Sequence, residues 1–485
     1  MSNAASPAGP SDPRKALRAD PIRFSLNGAA RVENGVSPST TVLDWLREQA
    51  RLTGTKEGCA EGDCGACTVA LRRDDRWLAV NSCLLTMAQI DGAEVLSVEG
   101  LAGPGGAPHP IQQALVETDG TQCGFCTPGF AMAMLAFADG GEPATETNIH
   151  EALAGNLCRC TGYRPIVEAC KRIAAANTPP TQPSAPRLGE NASVLIGGGK
   201  EVFHSPRTLA ELVDLRTRHP DAMLLAGGTD LGLRFSKGRE HPAAIISTAH
   251  VAELQGIAND GMTLTIGGAV TYTDALPAID AAFPSFGALI RRIGSRQIRN
   301  VGTLAGNLGT ASPIGDTLPC LLALDASVRL VSVRGTRDVP VSEYFTGYRK
   351  TVMAADEVIE SVRLPLLQDG ESFTVYKVSK RFDQDISAVL AAFHLRLDGR
   401  KVVSLRAAYG GMAATPKRAT ATEAALTGRR FAAEALHDLD GLLATDFQPL
   451  DDMRASAAYR LRVAANLIRR LQLETSGLPL HLEAL

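Results

Sequence analysis

Apolar and polar positions in the first 100 residues indicate short strands around one helix. The segment "IRFSLNGAARVE" alternates on both sides of Asn27-Gly28, which is typical of a β-hairpin. "STTVLDWLREQARL" places Val42, Leu43, Leu46 and Ala50 on one helical face behind a threonine cap. "CTVALRR" and "RWLAVNSCL" indicate two further strands. This order of elements predicts a ferredoxin-like β-grasp domain.

The next 80 residues show the spacing of helices. "PIQQALVETDG", "PGFAMAMLAFAD", "TETNIHEALAG" and "RPIVEACKRIAAA" each repeat apolar residues at i, i+3 and i+4. They predict a compact four-helix domain. The proline-rich stretch at residues 178–191 lacks an apolar period and predicts a linker between two separately folding halves.

The second half opens with strand-like and glycine-rich segments. "AMLLAGGTDLGL" is an apolar strand that runs into Gly227 and Gly228. "IRNVGTLAGNLGTASPIGDTLP" is so rich in small residues and turn formers that we expect a loop pressed against a ligand, not a packed strand or helix. After about Gly370 the pattern predicts alternating strands and helices.

Composition and charge narrow the classes of function. Of 485 residues, 45% are hydrophobic and 21% charged, and the net charge of −3 gives no reason to expect nucleic acid or a membrane surface as partner. No apolar run approaches the roughly 20 residues of a membrane span. The N-terminus has no apolar signal region, so we expect a cytoplasmic protein with reduced thiols. Its ten cysteines therefore point to metal or redox use.

Four cysteines have the spacing of a plant-type [2Fe-2S] site. Cys59, Cys64 and Cys67 form C-x4-C-x2-C, and Cys83 follows at a distance. The glycines between them permit positive φ and leave backbone amides free to point at the cluster. A zinc ribbon is the alternative, but zinc sites prefer two C-x2-C pairs.

A second set of four cysteines lies at the junctions between the predicted helices. Cys123 and Cys126 form C-x2-C, and Cys158 and Cys160 form C-x-C. Such a set alone is compatible with zinc. Beside a plant-type set, it favours a second [2Fe-2S] centre. Cys170 and Cys320 fall in apolar periodic runs and are interpreted as core residues.

The two glycine-rich segments indicate a cofactor held from two sides. Unpaired amides at a strand end suit a pyrophosphate. The G-x-G-x-x-G fingerprint is absent, which disfavours a Rossmann fold.

The motifs "EGCAEGDCGACTV", "QCGFCTPGF" and "NLCRCTGYRPI" resemble the iron-sulfur domains of the molybdenum hydroxylases, the xanthine dehydrogenase and aldehyde oxidase family. The resemblance covers all eight cysteines of the two sets. It implies that the helical-domain centre lies nearer the molybdenum and that Gln122 reaches toward a molybdopterin. The resemblance thus implies that a large partner chain holds the molybdopterin, in a heterotetramer of two small and two large chains.

The second half resembles the FAD domain of the same family, whose fold is shared with vanillyl-alcohol-oxidase-type flavoproteins. The resemblance implies FAD contacts in the first glycine-rich stretch, in the second one, which includes Asp316, and at three positions outside them. These residues are Leu224, Leu225, Ala226, Gly227, Gly228, Thr229, Asp230 and Leu231; Thr303, Gly306, Asn307 and Asp316; and Ile293, Ile359 and Lys377. Ile293 stands where some relatives carry an aromatic residue.

The same resemblance implies an acceptor site. "YFTGYRKT" matches the segment whose tyrosine, here Tyr348, lies beside the flavin where nicotinamide stacks. "SKRFDQDIS", which contains Asp385, matches a charged loop near the flavin. We therefore expect NAD as the electron acceptor and Tyr348 and Asp385 as its site residues.

The fold class expected is a multidomain α+β chain with a small C-terminal α/β flavin subdomain. The expected ranges are 21–98 for the plant-type domain, 99–177 for the helical 2Fe-2S domain, 192–368 for the FAD domain and 369–480 for the subdomain. The resemblance implies an electron-transfer subunit that serves the oxidation of hypoxanthine and xanthine to urate. An aldehyde or N-heterocycle hydroxylase with another acceptor is the alternative. Rivals of other classes are a self-contained iron-sulfur flavoprotein reductase and a zinc-stabilised binding module.

Overall fold

A computed structural model describes residues 20–175, 193–198 and 200–477. The predicted linker at 178–191 and the last residues of the predicted subdomain lie outside these ranges. No helix within them is both long enough and apolar enough to cross a membrane.

The first domain is a five-stranded mixed sheet packed on one short helix. The hairpin at Asn27-Gly28 is confirmed, and both turn residues have positive φ (52° and 80°). The strands run in the order β2-β1-β5-β3-β4, with β5 parallel to β1. Thr41 caps the helix, which continues as a π-helical turn over Trp45–Gln49. The elements are β1 (Ile22–Leu26), β2 (Ala29–Glu33), α1 (Val42–Asp44), β3 (Thr68–Arg73), β4 (Arg76–Asn81) and β5 (Glu94–Leu96).

The second domain consists of four helices around an apolar core, as the spacing predicts. Phe130, Met132, Met134 and Phe137 of the central helix are fully buried in that core. The helices are α2 (Pro110–Glu117), α3 (Thr127–Asp139), α4 (Glu146–Leu153) and α5 (Arg164–Ala175).

The third domain contains two larger sheets that meet at a cavity, and a two-stranded sheet formed by Phe345–Gly347 and Lys350–Thr351. The first sheet has the order β6-β7-β9-β8, and the second is antiparallel with the order β10-β11-β16-β12-β13. The strands are β6 (Val194–Gly198), β7 (Glu201–Ser205), β8 (Met223–Leu225), β9 (Ala244–Ser247), β10 (Ile257–Asn259), β11 (Thr263–Gly267), β12 (Ser327–Ser332), β13 (Gly335–Pro340), β14 (Phe345–Gly347), β15 (Lys350–Thr351) and β16 (Val358–Pro365). The helices are α6 (Leu209–Arg218), α7 (Gly232–Ser236), α8 (Tyr272–Ala282), α9 (Pro284–Arg291), α10 (Arg296–Arg299), α11 (Leu304–Thr310), α12 (Thr317–Ala323) and α13 (Val341–Tyr344).

The prediction of a loop for the second glycine-rich stretch is wrong. The stretch forms α11 and α12, joined by a short turn. Thr303 caps α11 by accepting the Gly306 N–H at 2.8 Å, which offsets the low helix propensity of the glycines. The small residues leave the helix backbone close to the cavity that it lines.

The last domain places its strands before its helices. The antiparallel sheet β17-β18-β19-β20 is followed by three helices, so the expected alternation is wrong. The elements are β17 (Glu371–Val378), β18 (Val389–Asp398), β19 (Lys401–Gly410), β20 (Lys417–Arg418), α14 (Thr420–Leu426), α15 (Leu439–Asp446) and α16 (Ala457–Thr475).

The cores of the two halves are not separate, which contradicts the prediction of separately folding halves. Leu85 and Met87, which follow β4, belong to the same apolar cluster as Leu225, Phe235 and Ile245 of the third domain. An apolar surface shared in this way is lost when either side unfolds. The first domain and the first sheet of the third therefore stabilise each other.

Helix α10 joins three domains through polar contacts. Gln297 is fully buried and donates from Nε2 to Oδ1 of Asn156 at 2.9 Å. Asn156 in turn donates to the carbonyl of Gly65, in the first cysteine loop, at 2.9 Å. Arg299 donates to Glu151 at 2.8 Å. These bonds fix the third domain against both cysteine-bearing domains.

Candidate functional site

The first cysteine set lies on a loop before β3 and just after β4. Cys67 and Cys83 are buried, and their sulfur atoms are hydrogen-bonded at 3.3 Å. The sulfur of Cys59 accepts backbone N–H groups from Glu61, Asp63 and Cys64 at 3.3–3.4 Å. The loop can wrap the sulfurs because Ala60, Gly62 and Gly65 have positive φ.

The thiols of this set interact in two pairs. A hydrogen bond to the Cys64 thiol lowers the pKa of Cys59 to about 4. The hydrogen bond between Cys67 and Cys83 lowers the pKa of Cys67 and raises that of Cys83. One thiol of each pair therefore has a lowered pKa, which favours the thiolate, the form that binds metal.

The second set lies where the helices of the second domain meet. Cys126 caps α3, and Cys158 and Cys160 lie between α4 and α5. The N–H of Phe125 and the thiol of Cys160 both lower the pKa of Cys123, whereas burial and the Cys158 thiol raise that of Cys126 to about 12. The pairs are thus Cys123 with Cys160 and Cys126 with Cys158.

This pairing fits a two-iron cluster better than a zinc ion. A tetrahedral zinc site needs its ligands around one point. In a [2Fe-2S] cluster, the two cysteine pairs of each set would each supply two ligands to one iron.

A cavity of about 680 Å³ lies between the two larger sheets of the third domain. One wall is the loop after β8, and the other walls are α11 and the segment leading into β16. At Gly227 an added Cβ would lie 1.9 Å from the carbonyl oxygen of Val301, so only glycine fits. The backbone of this loop is therefore pressed between Val301 and the cavity.

Four family profiles cover most of the chain. The matches are "2Fe-2S iron-sulfur cluster binding domain" over residues 24–97, "[2Fe-2S] binding domain" over 97–171, "FAD binding domain in molybdopterin dehydrogenase" over 198–367 and "CO dehydrogenase flavoprotein C-terminal domain" over 374–475. The chain belongs to the molybdenum hydroxylase family. It carries the family's two 2Fe-2S domains and its FAD-binding domain.

Relatives of this chain include a xanthine dehydrogenase and an aldehyde oxidase. The chain is 33% identical to a xanthine dehydrogenase of Emericella nidulans over 88% of this chain and 36% of the relative. It is 31% identical to aldehyde oxidase 2 of Macaca fascicularis over 86% of this chain and 36% of the relative. The chain thus spans about a third of the length of these curated relatives.

Among solved structures, a carbon monoxide dehydrogenase from Hydrogenophaga pseudoflava is similar, with 29% identity and a TM-score of 0.53. The match covers 55% of this molybdenum hydroxylase chain and 94% of the other.

Most residues that the resemblance assigns to FAD line the cavity. They are Leu224, Ala226, Gly227, Gly228, Thr229, Asp230, Leu231, Ile293, Thr303, Gly306, Asn307 and Ile359. Leu225 is fully buried in the core instead. Asp316 and Lys377 do not line the cavity but form an ion pair at 2.7 Å, with their side chains 10% and 2% exposed. Ser387 donates to the other oxygen of Asp316 at 2.6 Å.

The residues assigned to the acceptor and to the partner lie outside the cavity lining. Tyr348 is 62% exposed at the turn between β14 and β15. Asp385 accepts the N–H groups of Arg381 and Ile386 within its own loop. Gln122 is exposed next to Cys123. Their roles in this molybdenum hydroxylase stay predictions.

Sequence reasoning missed two arginines that line the cavity. Arg216, on α6, donates to the carbonyl of Ala222 at 2.7 Å and keeps its buried Nε without a partner. Nη1 of Arg349 lies 3.4 Å from Oδ2 of Asp230, which is 119 residues away in sequence. Arg349 directly follows Tyr348 of the predicted acceptor segment, so the motif could have marked it as a candidate. Arg216 looks like an ordinary surface position of an amphipathic helix, and nothing local marks it.

The Asp316–Lys377 pair gives a first prediction about stability. Lys377→Met removes the cation from a nearly buried carboxylate, so we expect a loss of about 3–5 kcal/mol in the free energy of unfolding. Denaturant unfolding and FAD content measure it. Lys380→Met, on the exposed neighbouring loop, is the matched control and should change little.

The double variant Asp316→Asn with Lys377→Met tests the pairing itself. It should recover part of the stability, because neither charge is then left alone. A double variant as unstable as the sum of both single variants would contradict a structural ion pair.

Proposed function

We propose that this chain passes electrons from a molybdopterin centre in a partner chain, through two [2Fe-2S] clusters, to FAD and then to NAD. The observation that supports it is the contact between the two cysteine loops. The N–H of Leu157, adjacent to Cys158, donates to the carbonyl of Cys64 at 3.0 Å. Leu84, next to Cys83, packs with Ile298, which lines the FAD cavity.

When bound, the clusters supply one-electron transfer and the flavin supplies two-electron chemistry. The residues of this chain hold and order these groups. The N–H groups around Cys59 stabilise negative charge on sulfur. Burial of Cys67 and Cys83 keeps water from the inner side of the first loop.

The partner surface in this proposal is the exposed side of the second cysteine set. Cys123 and Cys160 are exposed there. Phe125, Leu157 and Tyr163 lie close by in sequence and are 47%, 44% and 41% exposed. Large apolar side chains around an exposed redox site are typical of a surface that a protein partner covers. We propose a large molybdopterin-binding chain as that partner, in a heterotetramer of two small and two large chains.

For the substrate we propose xanthine, which makes the chain the small subunit of a xanthine dehydrogenase. The 33% identity to a xanthine dehydrogenase supports this choice. The second candidate is an aldehyde or N-heterocycle hydroxylase, which the 31% identity to an aldehyde oxidase favours. Substrate profiling of the complex purified with its large chain discriminates between the two.

We expect NADH to reduce the flavin of the purified chain, because hydride exchange needs only flavin and nicotinamide. Xanthine should leave the same chain oxidised, since hydroxylation needs the molybdenum of the partner. Anaerobic stopped-flow absorbance measures both reactions. A flavin that stays oxidised with NADH would remove NAD as the acceptor.

Cys123→Ser tests the route in the complex. It should interrupt xanthine-dependent NAD reduction but spare NADH oxidation by a dye that accepts electrons from FAD. Loss of both activities would contradict the proposed order of carriers. A purified chain without molybdenum partner that reduces a soluble protein with NADH would favour a self-contained reductase.

A further inference from the structure

Ile298 lies between the first cysteine set and the FAD cavity. It packs against the apolar cluster that contains Cys67, Cys83 and Leu84. The same residue lines the FAD cavity. Leu233 also packs against the Cys67–Cys83 cluster, but it is not part of the cavity lining.

The contact on the cysteine side is tight. A Cβ added at Gly62, between Cys59 and Cys64, would lie 3.2 Å from Cδ1 of Ile298 and 2.6 Å from Cδ1 of Leu84. A side chain at Gly62 would therefore push Ile298 away from the loop. Glycine at this position lets the cysteine loop and α10 approach each other closely.

The segment after β4 and the segment after β8 also approach each other closely. A Cβ added at Gly232, the first residue of α7, would lie 2.8 Å from the carbonyl oxygen of Leu84. The space left between Leu84, Ile298 and Gly227 measures about 10 Å³, which is at the lower limit for a single water molecule. The layer between the cysteine loop and the cavity is thus packed protein and not a solvent layer.

We propose that Ile298 is the positioning residue that sets electron transfer between the plant-type cluster and the flavin. This inference rests on the proposed electron route. Each transfer removes one electron from the reduced cluster and adds it to the flavin. Two transfers with two protons from solvent complete the reduction of the flavin. Electronic coupling falls steeply across an empty gap, so a packed side chain at this point keeps the transfer fast.

The test compares variants that differ in where apolar atoms are lost. Ile298→Ala removes the atoms that face both the thiols and the cavity. Ile298→Val removes only one methyl group and serves as the test if the alanine variant does not fold. Ile298→Leu keeps the volume. Leu233→Ala is the matched control, because it removes apolar atoms beside the thiols but not beside the cavity.

Flash photoreduction of the full chain with a deazaflavin injects electrons, and absorbance then follows their equilibration between cluster and flavin. We expect a several-fold slower equilibration for Ile298→Ala, a smaller slowing for Ile298→Val, and rates near that of the unmodified protein for Ile298→Leu and Leu233→Ala. Unchanged rates in Ile298→Ala and Ile298→Val would overturn the proposal. Equal slowing in Leu233→Ala would also overturn it, since loss of packing anywhere near the thiols would then suffice.

Measuring the iron and FAD content of each sample separates failure of this proposal from failure of the proposed function. An unmodified chain that binds no iron-sulfur clusters or no FAD would contradict the proposed function itself. An unmodified chain with both groups, but without the expected order of rates, would contradict only the role of Ile298.

Discussion

Gly227→Ala is expected to remove FAD from the protein. The added methyl carbon would lie 1.9 Å from the carbonyl oxygen of Val301, closer than any non-bonded contact allows. Because the obstacle is backbone, the loop must move toward the cavity. Overpacking of this kind costs about 1–3 kcal/mol. The displaced loop would also occupy space that the cofactor needs. The ratio of flavin to protein, measured after heat release, should fall to a small fraction of the unmodified value.

Gly256→Ala is the matched control for that experiment. An added Cβ at Gly256 meets no atom within 4 Å, and the backbone there has no positive φ. This variant should keep its flavin and its unfolding midpoint. Full FAD content in Gly227→Ala would mean that the loop after β8 does not form a wall of the flavin site.

Cys64→Ser and Cys126→Ser are expected to remove one cluster each. Each substitution takes away one of four thiolates, and the two sets lie on different domains. Electron paramagnetic resonance of the reduced protein should then show one [2Fe-2S] signal instead of two, and a different one is lost in each variant.

Cys170→Ala serves as the control for the cluster variants. Cys170 is buried in the core of the helical domain and should not affect either signal. A single signal in the unmodified protein would contradict the assignment of two centres.

Local sequence patterns were enough to predict the elements that form from neighbouring residues. The hairpin at Asn27-Gly28 and the helices that flank the cysteines follow from neighbouring residues, and the structure confirms them. The spacing of eight cysteines led to two clusters because one loop or one helix junction brings most of each set together.

Contacts between distant segments could not be predicted in the same way. The contact of Gln297 with Asn156 joins residues 141 positions apart, and each is an ordinary polar residue in its own segment. Arg216 reaches the cavity only because α6 packs against β9 and β12. Helix α11 was missed because its glycines have low helix propensity and its stability comes from the Thr303 cap and from tertiary packing.

The apolar cluster shared by Leu85 and Met87 with Leu225, Phe235 and Ile245 has a consequence for synthesis. A nascent chain that has just completed β5 at Leu96 still lacks the side chains that cover this face. The ribosome must add about 150 more residues before Ile245 emerges, which takes on the order of ten seconds. During that time the cysteine loop belongs to a domain with an uncovered apolar face. Iron-sulfur assembly on this protein is therefore expected to follow completion of the first sheet of the flavin domain, despite the earlier position of the cysteines in the chain.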